Sequence, residues 1–215
     1  MRVILGLIAW VFATVAACPA WADGERAGDF DYYVLSLSWS SSWCLETGDA
    51  RDDPQCDAGR GLTFVLHGLW PQYEEGGWPS YCRTNQRDAT REETAAMTDI
   101  MPSASLAWHE WKSHGRCSGL SPRGYFAAAR KAWESLKIPS VFGRVTVPLQ
   151  VPPAVLEEAF YEANPALPEG SIALSCGDGR IEEVRLCLTT DLRPRACAPD
   201  VAACRMKTVT LPPLR

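Results

Sequence analysis

Three histidines occur in the 215-residue chain, and two short segments hold all of them. His67 lies in Phe64-Val65-Leu66-His67-Gly68-Leu69-Trp70-Pro71-Gln72, and His109 and His114 lie in Trp108-His109-Glu110-Trp111-Lys112-Ser113-His114-Gly115-Arg116-Cys117. Histidine is the side chain whose ordinary pKa, about 6.5, lets it give and take protons near neutrality. A whole supply placed in two segments, each flanked by tryptophan and glycine, points to proton transfer rather than to scattered core or surface imidazoles. If the second segment is helical, successive residues turn by about 100°. Relative to His109, Ser113 then stands at roughly 40°, Glu110 at roughly 100° and His114 at roughly 140°, all on one face. Trp108 and Trp111 are free to anchor the remainder in the core. His67, delivered from a strand end across a cleft, places one imidazole on each side of a substrate. One can remove a proton while the other protonates a leaving group, as general acid–base catalysis requires. The pattern also bears on metal chemistry, since zinc proteases space their ligands as His-Glu-x-x-His. Here the second histidine falls at i+5, turned roughly 140° from the first, which disfavours a zinc hydrolase.

The elements that position these residues read as a mixture without regular βαβ alternation, so the fold class is α+β. Residues 30–39 are aromatic and β-branched with local alternation, which predicts a strand. Residues 40–44 and 46–60 read as loop, residues 62–66 as a second strand ending at His67, and residues 68–82 as a long ordered loop. Thr90-Arg91-Glu92-Glu93 is a capping box, opening a helix to about residue 101 that Pro102 stops. The motif helix is expected over 105–115. Ser121-Pro122 opens another helix to about 137, and Pro153 a further one to about 163. Strands follow at 172–175 and 181–188 around a Gly-Asp-Gly turn, with a last one at 206–211.

Residues 1–22 carry Arg2, an apolar run over 3–17 and Ala20-Trp21-Ala22 as a small-x-small cleavage site. That is the pattern of a secretory signal peptide, leaving one domain over 23–215. A second reading is a lipoprotein signal acylated at Cys18. Eight cysteines remain beyond the leader, none spaced C-x-x-C, so disulfides in a periplasmic or secreted setting are expected. Neither Asn85 nor Asn164 begins a glycosylation acceptor. The net charge of −5 argues against a broad basic face of the kind that grips duplex nucleic acid, and confines any phosphate binding to a small site.

At His67-Gly68-Leu69-Trp70-Pro71 and His109-Glu110-Trp111-x-x-His114-Gly115-x-Cys117 the chain resembles the ribonuclease T2 family of secreted, metal-independent endoribonucleases. The resemblance implies an α+β fold, with helices packed on an antiparallel sheet. It implies cleavage of single-stranded RNA through a 2′,3′-cyclic phosphate to 3′-phosphate ends, with no cofactor. His114 is then the base, His67 the acid and His109 a phosphate ligand, while Glu110 polarises the phosphorus. Trp70 stacks on a base; Tyr73, Trp78 and Tyr81 are weaker stacking candidates. The pairs implied are Cys44–Cys56, Cys82–Cys117, Cys176–Cys204 and Cys187–Cys197. The family usually carries lysine just before the second histidine of the helix, where this chain has Ser113. Lys112 at roughly −60°, or Arg116 at roughly −20°, is left to supply that charge. A monomer acting on single-stranded RNA, without a DNA or membrane partner, is the expectation. The alternative is a catalytically silent RNA-binding or storage member of the same fold.

Overall fold

The structure, a computed structural model, describes residues 25–201 and 204–215; the expected leader over 1–22, with Cys18, lies outside the described residues. One sheet contains β1 (Tyr32–Trp39), β2 (Phe64–Gln72), β3 (Leu149–Val151), β4 (Ile172–Gly177), β5 (Arg180–Thr189) and β6 (Val209–Leu211). Its order is β2-β1-β5-β6-β3, with β4 also paired to β5. Every pairing is antiparallel except the single parallel register of Arg180 with Thr210. Five helices accompany the sheet among the described residues: α1 (Ser40–Trp43), α2 (Arg91–Ala95), α3 (Ala104–Ser113), α4 (Pro122–Glu134) and α5 (Pro153–Ala163). The molecule is α+β, as the sequence predicts.

Alternation decides what each strand face carries. On β1, Tyr33, Leu35, Leu37 and Trp39 enter the main core. Tyr32 and Val34 join a smaller cluster behind it, and the buried Ser36 and the half-buried Ser38 continue that second face. The register sets Ser36 against Arg185 and Ser38 against Glu183, so a polar strip crosses the two strands. On β2 the core side chains are Phe64, Leu66 and then Leu69, a change of parity that a regular strand cannot make. A bulge makes it: Leu37 pairs with Leu66 and Ser36 with Gly68, leaving His67 as the extra residue. His67 and Trp70 lie three apart, yet both now leave the core side for the face of the polar strip. Tyr125 of α4 donates its hydroxyl to the Leu69 carbonyl at 3.1 Å, fixing β2 just beyond the bulge.

Local chemistry accounts for the helix ends. The Thr90–Glu93 capping box forms in both directions, Ser103 caps α3 through the Leu106 N–H and Ser121 caps α4 through the Gly124 N–H. Disulfides join Cys44–Cys56, Cys82–Cys117, Cys176–Cys204 and Cys187–Cys197, the same pairs that the resemblance implies. Several boundaries differ from expectation. Residues 40–56 are not loop: α1 continues through a π turn, Cys44–Gly48, and two 3₁₀ turns, short forms with no hydrophobic period to reveal them. The second strand runs to Gln72, so His67 sits inside it and the expected loop begins later. α2 closes at Ala95 and passes into turns well before Pro102. α4 stops at Glu134, three residues short of the expected end, and the last strand is only Val209–Leu211. β3 is too short for a pattern. α3 ends at Ser113, and His114 leaves the helix at φ −124°, ψ −45°. A 3₁₀ turn, Gly115–Ser118, follows. The helical wheel therefore does not apply to His114 or Arg116. Trp111 is buried as expected, but Trp108 is 41 % exposed and anchors nothing in the core.

Candidate active site

The bulge presents the His67 ring toward β5, and the serines of β1 are small enough to let it reach across. Nδ1 meets Glu183 Oε1 at 2.6 Å, so this nitrogen carries the proton that the carboxylate accepts. Nε2 faces Glu110 Oε1 of α3 at 3.7 Å. Glu110 is buried at 1 % exposure, and its other oxygen accepts the Trp70 indole N–H at 2.7 Å. Gly68 makes room for this: a methyl group built there would overlap the Glu110 carboxylate and the Trp70 indole nitrogen. The Trp70 ring stands between two imidazoles, with centroids 5.2 Å from His67 and 5.4 Å from His114. Gly115 is equally constrained, since a Cβ would lie 2.7 Å from the Trp111 ring and 2.8 Å from Tyr125. That tight turn brings His114 back toward β2.

Glu183 completes the arrangement. Its Oε2 accepts two hydrogen bonds from Arg185, from Nε at 2.9 Å and Nη2 at 2.7 Å, and the guanidinium lies 5.5 Å over the Trp70 ring. Neither residue was among those the sequence singles out. The available signal was two opposite charges at alternate positions of a strand whose neighbours, Val184 and Leu186, are core. What they touch depends on pairing with β1, which one segment cannot disclose.

These contacts drive the titrations apart. Burial alone would raise the Glu183 carboxyl, but the His67 hydrogen bond and the charges of His67 and Arg185 outweigh it and hold it at about 2. Burial would likewise lower His67; the Glu183 hydrogen bond, with the charges of Glu110 and Glu183, instead lifts the imidazole above 6.5. His114 has no such partner. Burial, then the charges of His67 and His109, depresses it to about 4, and its Nδ1 is buried without a hydrogen bond. Burial pushes Glu110 up to about 7, against the charge of His67 and the Trp70 hydrogen bond. Above about pH 4 and below the raised titration of His67, one imidazole is cationic and the other neutral, the division of labour an acid–base pair needs.

Three recesses surround the group. One of about 510 Å³ is lined by His67, His109, Ser38, Trp43 and Arg51, and His109 Nε2 lies 3.4 Å from Ser113 Oγ. A second, of about 270 Å³, is lined by Trp70, His114, Gln72, Trp78 and Arg185. The third, of about 360 Å³, joins His67, Trp70, Glu183 and Arg185. The structure thus brings His67, Glu110, His114 and Trp70 together, with His109 along the groove. Lys112 is elsewhere, its Nζ 3.3 Å from both Asp88 oxygens and 5.8 Å over Trp108. Arg116 sits in the turn after α3 with Nε buried and without a partner among the described residues, and neither cation lines any of these three recesses. Tyr73 and Tyr81 line none of the three either. Among the described residues no three His, Cys, Asp or Glu side chains converge as metal ligands do.

The profile of the Ribonuclease T2 family matches residues 30–197. A protein of Aeromonas hydrophila named "Ribonuclease" is 40% identical over 147 residues. The match covers 68% of this chain, and the chain spans 63% of that relative's length. The solved structure of an RNase-related protein from Calystegia sepium superposes with a TM-score of 0.67 at 23% identity, over 89% of this chain and all of that one. RNase NT in complex with 5′-AMP gives a TM-score of 0.61 at 26% identity, over 86% of this chain and all of its own.

Proposed function

The chain belongs to the ribonuclease T2 family, and on that premise we propose that it is an endoribonuclease that cleaves single-stranded RNA with His67 and His114 as acid and base. The observation that carries the reading is the opposite displacement of the two imidazoles on either side of Trp70. His114, neutral above about pH 4, takes the proton of a ribose 2′-hydroxyl. The freed 2′-oxygen bonds to the adjacent phosphorus, the bond from phosphorus to the 5′-oxygen of the next nucleotide breaks, and His67 gives that oxygen its Nε2 proton. The product is a 2′,3′-cyclic phosphate. Its hydrolysis runs the roles in reverse: His67, now neutral, takes a proton from water as the water oxygen attacks. His114 returns its proton to the 2′-oxygen, leaving a 3′-phosphate. The substrate supplies the nucleophile, so no nucleophilic side chain is required.

Glu110, protonated over much of the working range, offers an O–H to a phosphoryl oxygen beside His67 Nε2. His109 reaches the phosphate from the larger recess. Trp70 holds a base by stacking, an interaction worth ~1–3 kcal/mol per base at single-strand sites. The four disulfides suit an oxidising compartment, periplasmic or extracellular.

The test is incubation with single-stranded RNA in excess EDTA, followed by end-group analysis. Cyclic phosphate ends in the chelator are expected. Cleavage that EDTA abolishes points to a zinc hydrolase, and RNA left intact at every pH from about 4 to 8, a range that brackets the ordinary histidine value, points to a silent RNA-binding or storage protein. Single-stranded DNA should compete at most, because it lacks the 2′-hydroxyl; cut DNA would refute the cyclising route.

A further inference from the structure

The phosphorane formed by the 2′-oxygen attack carries more negative charge than the diester, and preorganised cations and donors aimed at it lower the barrier. Lys112 is bound to Asp88, Arg116 lines no recess at the histidines, and position 113 is serine. Of the lysine and arginine side chains among the described residues, Arg185 alone lines both recesses that flank Trp70, the one with His114 and the one with His67.

We propose that Arg185 is the cation that faces the scissile phosphate, a catalytic residue for the reaction inferred above and resting on that reading. Three features fit it for the task. Nε and Nη2 are both spent on Glu183 Oε2, which fixes the plane of the guanidinium, while Nη1 enters no hydrogen bond among the described residues and is left to donate to a ligand. The group packs over Trp70, so it lies at the edge where a stacked nucleotide hands its phosphate to the acid and the base. Glu183 is shared: one oxygen holds His67, the other holds Arg185. The trio of cationic His67, Arg185 and Glu183 carries one net positive charge until His67 releases its proton. The same carboxylate thereby sets the distance between the proton donor and the phosphate clamp. Arginine suits this double duty, since its planar fork can bind one carboxylate and still present donors to a second anion.

Two measurements test the assignment. Wild-type turnover of a dinucleoside monophosphate comes first, because its absence counts against the ribonuclease reading and not against Arg185. Given wild-type turnover, Arg185→Gln should lower kcat by about 10²-fold, the scale of one removed oxyanion donor, with KM changed less than threefold. A folded Arg185→Gln protein with kcat within threefold of wild type overturns the proposal, and so does a loss carried wholly by KM. The second measurement needs no folded variant. In ¹⁵N-arginine-labelled wild type, inorganic phosphate should move the Nε–H signal of Arg185 together with the ring signals of His67 and His114. Histidine signals that move while the Arg185 signal stays still overturn it. A kcat deficit in Lys112→Ala, with none in Arg185→Gln, returns the charge to the helix.

Discussion

At the residue scale, the proposed chemistry rests on two imidazoles, one hydrogen-bonded to a buried carboxylate and one whose Nδ1 has no partner among the described residues. Because His114 is depressed to about 4 and His67 is raised above 6.5, kcat/KM should follow a bell, with the acid limb near pH 4 and the alkaline limb above 6.5. A profile still rising at pH 9 contradicts the pair. Replacing Glu183 by Gln keeps a hydrogen-bonding side chain but removes the charge that lifts His67, so the alkaline limb should move to lower pH while the acid limb stays. Equal movement of both limbs would mean that Glu183 only supports the fold. His67→Ala and His114→Ala should each cost ~10²–10⁴-fold in kcat, the usual contribution of a positioned acid or base, in proteins that still melt cooperatively. The histidines were legible in the sequence because their residue type alone announces their chemistry. Glu183 and Arg185 were not: acids and arginines are common on strands, and only the cross-strand register brings these two beneath His67. The wheel placed His114 on the helix, whereas Gly115 and the packing of Trp111 against Tyr125 end the helix one residue before it.

At the element scale, caps could be read and irregularities could not. Thr90 and Ser121 announce helix starts through side-chain oxygens that satisfy free backbone N–H groups, a signal contained within four residues; the Ser103 cap, of the same kind, was not singled out. The bulge in β2 carries no comparable mark, because its cause is the pairing of that segment with β1. Its effect is nonetheless testable. Gly68→Ala puts a methyl group into the space of the Glu110 carboxylate and the Trp70 indole, with ordinary strand backbone otherwise able to accept alanine. The variant should fold, lose at least about 10²-fold in kcat through displaced acid–base geometry, and show altered tryptophan fluorescence. Wild-type kcat would mean that Glu110 and Trp70 need not touch. The short helical turns over 40–56 escaped prediction for a related reason: Cys44–Cys56 and the neighbouring Trp43 hold them, rather than any run of helix formers.

At the scale of the whole molecule, the buried site acts on stability through pH. The raised Glu110 keeps its proton in the folded state up to about 7, whereas an unfolded glutamate releases it near 4.5. Its contribution is therefore present below 4.5 and is lost as pH rises toward 7. Glu110→Gln should abolish that loss. Denaturation in urea should show the variant gaining stability relative to wild type between pH 4.5 and 8, on the order of 1 kcal/mol or more; a constant difference across that range would refute the buried titration. His114 pulls the other way, favouring the fold above 6.5 and ceasing to as pH falls through about 4. Removing Cys82 and Cys117 together should cost roughly 3–4 kcal/mol by loop entropy and should lower activity as well, since that bond anchors the turn next to His114. The bulge at His67 has a further consequence for how this chain tolerates change. It works like a reading frame: residues before it count from one side of the sheet and residues after it from the other. Deleting the single residue Gly68 would therefore restore one frame along the whole strand: Leu69 would keep its place against Leu35 and Trp70 its place against Val34, while His67 would lose its extra position and fall opposite Ser36.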